Sequence, residues 1–264
     1  GLGRLRVLSL AHTRITNAGL VHLQRLDNLE QLVLQDTGVT DDALAHLKGV
    51  TTLSQLWLGG TQVTGDGLCH LKSLTVLRQL SLQDTRVSGD GLRHLADPVS
   101  LRSLRLCGSA VTDGDMMHIG RLSQLEELSL RDTQVGDNGL QHLAGLTGLQ
   151  DLYLTKTRVT DAALAHLHEL RSMRHLSLRD NTLTDVGLVY LRNLRRLAIL
   201  GLDNTLVTDD GLTHLKHLKA LKSLRLTDTA VTDAGLRHLE GLPTLQWLDL
   251  EGTLVTVDGR GLLV

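Results

Sequence analysis

Apolar residues recur along this chain with a period of 24 residues, without one insertion or deletion. The first apolar position of the unit falls at Leu5, Leu29, Leu53, Leu77, Leu101, Leu125, Leu149, Met173, Leu197, Leu221 and Leu245. A fixed period of 20–50 residues is typical of a solenoid, in which each repeat packs only against its neighbours. We therefore interpret residues 1–264 as a single array of about eleven repeats.

Each unit combines the period of a strand with that of a helix. In the unit that begins at Leu149, polar and apolar residues alternate around Leu152 and Leu154, which predicts a short strand. Leucines then follow at three-residue spacing, which predicts about two turns of helix beginning near Thr160 and Asp161, a capping residue and a first-turn acid. Every unit contains a strand, a turn, a helix and a return loop in the same order. The strands are therefore expected to run parallel in one sheet, with the helices packed on one face of that sheet.

The repeated motif resembles the leucine-rich repeat. The pattern L-x-x-L-x-L-x-x-T-x-V occurs between Leu29 and Val39, and T-D-x-G-L-x-H-L between Thr232 and Leu239. The second pattern is similar to the helix-backed subclass of F-box-type proteins and of bacterial arrays. The resemblance implies an α/β fold, a right-handed leucine-rich-repeat solenoid or horseshoe. A parallel β-sheet would form its concave face, and short helices its convex face.

Two positions of the unit carry further expectations. The ninth position is Thr in most repeats, where the family usually has Asn or Cys, and the resemblance implies that this side chain hydrogen-bonds the backbone of the adjacent turn. The fifteenth position is Gly in eight repeats, the last being Gly259. Because Gly costs about 1 kcal/mol relative to Ala inside a helix, its recurrence predicts a close approach of helix to sheet. Asp115 takes this position in the fifth repeat and predicts a displaced helix there.

Composition and charge narrow the classes of function. The formal net charge is −2 without a basic segment, which argues against nucleic acid as a partner because phosphate contacts need a basic surface. No apolar run approaches the roughly 18 residues of a membrane span. Cys69 and Cys107 stand at different positions of the repeat and are not expected to pair. Free thiols favour a reducing, cytoplasmic compartment.

The sequence contains no recognisable catalytic, cofactor-binding or metal-binding motif. Histidine occupies the eighteenth position in nine of ten full repeats. Neighbouring helices pack about 8–10 Å apart, however, which is too far for one metal ion to bridge. The histidines are expected to contact a neighbouring loop instead, and the chain is predicted not to be an enzyme.

Residues that vary between repeats, while the leucines stay constant, are the candidates for binding. Outward strand positions carry Trp, Tyr and Arg, which are enriched in interface hot spots. We predict that the concave face binds a protein or peptide through Trp57, Arg105, Arg131, Tyr153, Arg179 and Arg225. The four members from Arg105 to Arg179 are expected to lie within about 15 Å of each other, as one basic and aromatic patch beside Asp132 and Asp180.

Two alternatives to this function stay open on sequence grounds. The chain could be a structural spacer or assembly module that associates through its ends or its convex face, or it could select substrates within a larger protein. Neither end carries a recognisable cap, which solenoids need for solubility, and the last repeat loses its pattern at Arg260. The chain is therefore expected to be a piece of a longer protein or to associate through open ends.

Overall fold

The computed structural model describes residues 2–95 and 100–256. They form two compact units, Gly1–Ser129 and Leu130–Val264. Two residues of the sequence interpretation, Gly259 and Arg260, lie outside the described residues. Among the described residues, each of the first ten repeats contributes one three-residue strand followed by a helical segment, and the eleventh contributes the strand Trp247–Asp249.

The strands of each unit pair in parallel with a constant offset of one repeat. The first unit contains β1 (Val7–Ser9), β2 (Gln31–Val33), β3 (Gln55–Trp57), β4 (Gln79–Ser81), β5 (Ser103–Arg105) and β6 (Glu127–Ser129). The second contains β7 (Asp151–Tyr153), β8 (His175–Ser177), β9 (Ile199–Gly201), β10 (Ser223–Arg225) and β11 (Trp247–Asp249). Within a unit each strand pairs with the next in the chain, so that Leu8 lies beside Leu32 and Leu176 beside Leu200.

The helices are shorter than the two α-helical turns that were predicted. The α-helical segments are α1 (Asn17–Leu20), α2 (Asp41–Ala45), α3 (Met116–Ile119), α4 (Asp137–Leu140), α5 (Asp161–Leu164), α6 (Asp185–Leu188), α7 (Asp209–Leu212) and α8 (Asp233–Leu236). Segments of 3₁₀-helix follow several of them, as at Val189–Asn193, and replace them at Asp66–Ser73 and Gly89–Leu95. Leucines spaced by three residues fit the three residues per turn of a 3₁₀-helix, which explains the difference.

The core of each unit lies between the strands and the helical segments and is aliphatic. In the seventh repeat, Leu152 and Leu154 from the strand and Leu164, Leu167 and Leu170 from the helical side are all fully buried. The chain contains no Phe, so leucine and valine fill this space. The inward alternation predicted from the sequence is therefore confirmed.

The ninth-position threonines hydrogen-bond the backbone of the adjacent turn, as the resemblance implied. Thr37 Oγ1 donates to the Leu34 carbonyl of its own repeat at 2.7 Å, and the other threonines of this column repeat the bond. The longer Asn181 also reaches the turn of the preceding repeat: its Nδ2 donates to the Leu154 carbonyl at 2.7 Å and its Oδ1 accepts from Thr157 N at 3.1 Å. The threonines therefore bond within their own repeat, and Asn181 joins two repeats.

In six of the described repeats, a carboxylate at the start of the helical segment joins the repeat to the next. Asp185 Oδ1 accepts from Thr208 N at 2.8 Å, and Asp185 Oδ2 accepts from Thr208 Oγ1 at 2.7 Å. The same pair of bonds joins Asp41 to Thr64, Asp137 to Thr160, Asp161 to Thr184, Asp209 to Thr232 and Asp233 to Thr256. We call this series the Asp–Thr ladder.

The ladder carboxylate of Asp233 is held in its ionised form. The hydroxyl of Thr256, and then its backbone N–H, lower the pKa of Asp233 below its ordinary value of 3.8. A carboxyl group whose pKa is lower in the folded chain stabilises the fold above its unfolded pKa. That contribution disappears as the pH falls through the lowered value, so this bond strengthens the fold at neutral pH and not in strong acid.

The ladder also explains the glycine column. A side chain at Gly211 or Gly235 would collide with the carboxylate of the preceding repeat, Asp185 or Asp209, rather than with the sheet. The predicted reason, a close approach of helix to sheet, was therefore wrong, because the close contact is lateral. Ala163 stands in the same column and leaves its ladder bond intact, so a small residue suffices.

The fifth repeat departs from the others as predicted. Its helical segment begins as a 3₁₀-turn, Asp113–Asp115, and α3 starts only at Met116. The buried carboxylate of Asp115 accepts from Thr112 N at 2.8 Å and from Gly89 N at 2.6 Å. Gly89 stands where most repeats have the ladder aspartate, so Asp115 supplies from the following repeat the carboxylate that the fourth repeat lacks.

Candidate functional site

The outward face of strands β7–β11 carries an open groove with a volume of about 470 Å³. Side chains alternate along a strand, so the first and third strand residues, and the second residue after the strand, point away from the leucine core. These three positions supply all the residues that line the groove. We call it the sheet groove.

The sheet groove has a floor of small residues between two ends of larger ones. The floor is formed by Thr155, Ser177, Gly201 and Ser223. Arg131, Tyr153 and His175 line one end, Arg225 and Trp247 line the other, and Arg179 and Ile199 lie between them. Trp247 is 63% exposed and Ile199 is 37% exposed, so large apolar surface faces solvent within the groove.

Tyr153 and His175 form an aromatic pair at one end of the groove. Their ring centroids are 4.6 Å apart in an edge-to-face arrangement, and the Tyr153 hydroxyl lies 3.1 Å from His175 Nδ1. Burial lowers the pKa of His175 below 6.5, and the charge of Asp151 offsets part of this effect. At neutral pH the imidazole is therefore uncharged, and its Nδ1 can accept the hydroxyl proton of Tyr153.

Replacing His175 with Gln is expected to make stability less sensitive to acid. Because the pKa of His175 is lower in the folded chain, the unfolded chain binds a proton more readily, and stability falls as the pH drops through about 6.5. The variant lacks this contribution, so it should lose less unfolding free energy between pH 7.5 and pH 5 than the native chain. Urea denaturation at both pH values measures the difference, and equal losses would contradict the assignment.

A buried carboxylate holds two of the arginines of the groove. Asp203 is only 3% exposed. Its Oδ1 accepts from Arg225 Nε at 3.1 Å, and its Oδ2 lies 3.0 Å from Arg179 Nε without the alignment of a hydrogen bond. Arg225 also lies 3.6 Å from Asp249. These four side chains balance one another's charge and fix the positions of both guanidinium groups.

Arg131 is the third arginine of the groove, and it does not take part in this network. It is exposed, and among the described residues no carboxylate lies within ion-pair distance of it. Its neighbours in the chain are anchored, since Leu130 N donates to the Tyr153 carbonyl and Asp132 N donates to the Thr155 carbonyl, both at 2.9 Å. A fixed backbone therefore presents an unpaired guanidinium beside Tyr153.

The comparisons with known proteins identify the repeat. Two models described as leucine rich repeat match the chain, one over residues 195–255 and the other over residues 123–144 and 169–191. The chain is built of leucine-rich repeats. No curated protein sequence matches it.

Solved structures show the same fold. An internalin from Listeria monocytogenes is similar with a TM-score of 0.74 and 22% sequence identity, over 97% of this chain and 76% of the internalin chain. The likeness is one of 512 among solved chains. At this level of identity it shows the fold alone, and the predicted leucine-rich-repeat solenoid of about eleven repeats is confirmed.

Four of the six predicted contact residues of this leucine-rich-repeat chain meet in the sheet groove, namely Arg131, Tyr153, Arg179 and Arg225. Trp57 and Arg105 belong to the first unit. Trp57 is half-buried in β3, and Arg105 Nε donates to Glu127 Oε1 at 2.8 Å. Binding by any of the six stays a prediction.

The expectation of a basic patch needs correction. Arg179 and Arg225 are paired with carboxylates, so the groove is close to charge balance, and Arg131 carries its excess positive charge. Asp132 and Asp180 are turn residues with a left-handed backbone, at φ of 55° and 56°. Asp132 pairs with Lys156 at 3.2 Å, and Asp180 accepts from Asn204 at 2.9 Å.

Sequence reasoning missed His175, Ile199 and Trp247. All three are the first residue of their strand, whereas the prediction used only the third strand residue and the second residue after it. The alternation that placed Tyr153 on the outward face also places the residue two positions earlier there. The signal was therefore present in the sequence.

The histidine column and the cysteines show no metal or redox site within the described residues. No group of three or more His, Cys, Asp or Glu could hold a metal ion there. Among the described column histidines, none hydrogen-bonds a neighbouring loop, and only the buried His118 approaches a carboxylate, with its Nε2 3.5 Å from Asp90 Oδ1. Cys69 and Cys107 are free thiols. Every helix in this part of the chain is too short or too polar to span a membrane.

Proposed function

We propose that this leucine-rich-repeat chain is a non-catalytic scaffold that binds a protein segment or peptide in the sheet groove. The observation that carries the proposal is Trp247, a large aromatic side chain that stays 63% exposed at the end of an open groove. Exposed Trp, Tyr and Arg side chains in one concavity are typical of interface hot spots.

The frame beneath the groove supports this function. The inward leucines of β7–β10 are fully buried, and the strands pair in a single register. Such a frame holds the outward side chains in fixed positions, which lowers the entropy that binding must overcome. Repeat proteins use extended surfaces of this kind for binding.

Replacing Trp247 with Ser is expected to weaken peptide binding at least tenfold, since hot-spot truncations cost more than about 1.4 kcal/mol. The probe is a random dodecapeptide library displayed on phage and selected on the immobilised native chain. Peptides from the selection are then synthesised, and their dissociation constants are measured for the native chain and the variant.

The matched control is Val186→Ser, which removes an exposed apolar side chain from the helical side, where Val186 is 68% exposed. It should leave the dissociation constants unchanged. A Trp247→Ser variant that melts at the native temperature and binds the peptides normally would contradict the proposal. Failure of the native chain to enrich any peptide would do the same, and a mass that grows with concentration in light scattering would then favour an assembly module.

A further inference from the structure

We infer that the sheet groove selects an extended peptide with an acidic side chain at one end and a large apolar side chain about eight residues away. This inference rests on the proposed function and adds the chemistry of the partner. Its basis is that the groove has an unpaired cation at one end and exposed apolar surface at the other.

The acidic preference follows from the charges that line the groove. Asp203 and Asp249 are engaged with Arg179 and Arg225, so two carboxylates face two guanidinium groups. The exposed Arg131 adds a third guanidinium, which has no carboxylate within ion-pair distance in the described part of the chain. A carboxylate of the partner can form a charge-assisted, two-pronged hydrogen-bonded pair with it, whereas a lysine or arginine there would be repelled.

The preference for an apolar side chain follows from the exposed apolar residues towards the Trp247 end of the groove. Trp247 is 63% exposed and Ile199 is 37% exposed, and both are first residues of their strands, two strands apart. Covering them removes apolar surface from water at about 25 cal/mol per Å². The partner residue that does so needs a large aliphatic or aromatic side chain.

Strand spacing fixes the separation between the two features. Arg131 lies one strand step before Tyr153 of β7, because its flanking amides bond to the Tyr153 and Thr155 carbonyls, and β7 is four steps from β11. Five steps of about 4.8 Å give about 24 Å across the strands. Arg131 also stands four residues further along the strand direction than Trp247, which adds about 13 Å at right angles and makes the separation about 27 Å. An extended chain advances about 3.3–3.4 Å per residue, so about eight residues separate the acidic and the apolar side chain.

The floor of the groove suits an extended backbone. Thr155, Ser177, Gly201 and Ser223 have short side chains, so the middle of the groove leaves space for a main chain and offers few places for large side chains. Ser177 and Thr155 are buried and bonded to each other at 2.9 Å. The central residues of the peptide are therefore expected to vary freely.

Charge reversal at Arg131 tests this inference. The probe is the same random dodecapeptide library, selected in parallel on the native chain, on Arg131→Glu and on Arg158→Glu. Arg158 is an exposed arginine of the same unit that lies outside the groove, so both variants change the net charge equally. The native chain and Arg158→Glu should enrich peptides with Asp or Glu about eight positions from a large apolar residue.

The Arg131→Glu variant should instead enrich Lys or Arg at the acidic position and keep the apolar one. A synthetic peptide from the native selection should bind Arg131→Ala about tenfold more weakly, the loss of one charge-assisted pair. Native-selected peptides without acidic enrichment, or an equal effect of Arg158→Glu, would overturn the inference.

The experiments distinguish a failure of the charge inference from a failure of the proposed function. Should the acidic preference be absent while Trp247→Ser still weakens binding, the groove binds peptides and only the charge inference is wrong. Should Trp247→Ser have no effect, the proposed function itself fails. Melting temperatures of all the variants establish that they fold, and both substituted arginines are exposed.

Discussion

Replacing Asp209 with Ala is expected to lower the free energy of unfolding by about 2–3 kcal/mol. Asp209 accepts from Thr232 N at 2.8 Å and from Thr232 Oγ1 at 2.6 Å. Hydrogen bonds to a charged group contribute about 1.5–3 kcal/mol, and the half-buried Thr232 N–H loses its acceptor. Urea denaturation gives the change in stability, and amide exchange at Thr232 reports the local loss.

The chain offers two controls for this substitution. Asp210 is the next residue of α7 and is exposed, with no ladder bond among the described residues, so Asp210→Ala should change stability by less than about 0.5 kcal/mol. Asp209→Asn should be mild, since Asn17 in the first repeat accepts from Thr40 N and donates to Thr40 Oγ1. Equal losses of stability in Asp209→Ala and Asp210→Ala would mean that Asp209 acts only through its charge at the N-terminus of α7, and not through its bonds to Thr232.

Replacing Asp203 with Ala is expected to cost about 1–3 kcal/mol of unfolding free energy. The substitution removes a buried carboxylate and leaves Arg179 and Arg225 facing each other without it. Breaking a buried ion pair costs about 3–5 kcal/mol. The loss here is smaller because both arginine side chains are about two-fifths exposed and solvent screens them. Thermal and urea denaturation measure the change.

A double-mutant cycle tests the charge explanation for Asp203. Adding Arg179→Gln to Asp203→Ala should recover part of the loss, because it removes an uncompensated charge, and the two effects should be clearly non-additive. The exposed Asp180, which accepts one hydrogen bond from Asn204, provides the control, and Asp180→Ala should be near neutral. Additive effects of the two groove substitutions would show that Asp203 acts by packing and not by charge.

The leucine frame and the strands could be predicted because they depend only on local periodicity. Leu152 and Leu154 alternate with polar residues, and the repeat then fixes the register of every neighbouring strand. The role of Asp161 was predicted only in part. It stands in the first helical turn as expected, but its bond to Thr184 in the next repeat depends on the lateral distance between repeats.

The chemistry of the groove was less accessible from the sequence. Tyr153 and the arginines were found because their residue types stand out at outward positions. Arg225 is the third residue of β10, whereas its partner Asp203 is the second residue after β9. That diagonal contact depends on side-chain rotamers, so a sequence predicts the candidates and not the pairs.

The emission of Trp247 on peptide binding tests the central claim most directly. The chain has two tryptophans, Trp57 in the first unit and Trp247 in the sheet groove, so Trp57→Phe leaves only the groove tryptophan and Trp247→Phe only the other. If the peptide binds in the sheet groove, a peptide selected on the native chain should shift the fluorescence emission of the Trp57→Phe variant to shorter wavelength. The emission of the Trp247→Phe variant should stay unchanged. Saturating peptide that leaves the Trp247 emission unaltered would contradict the account.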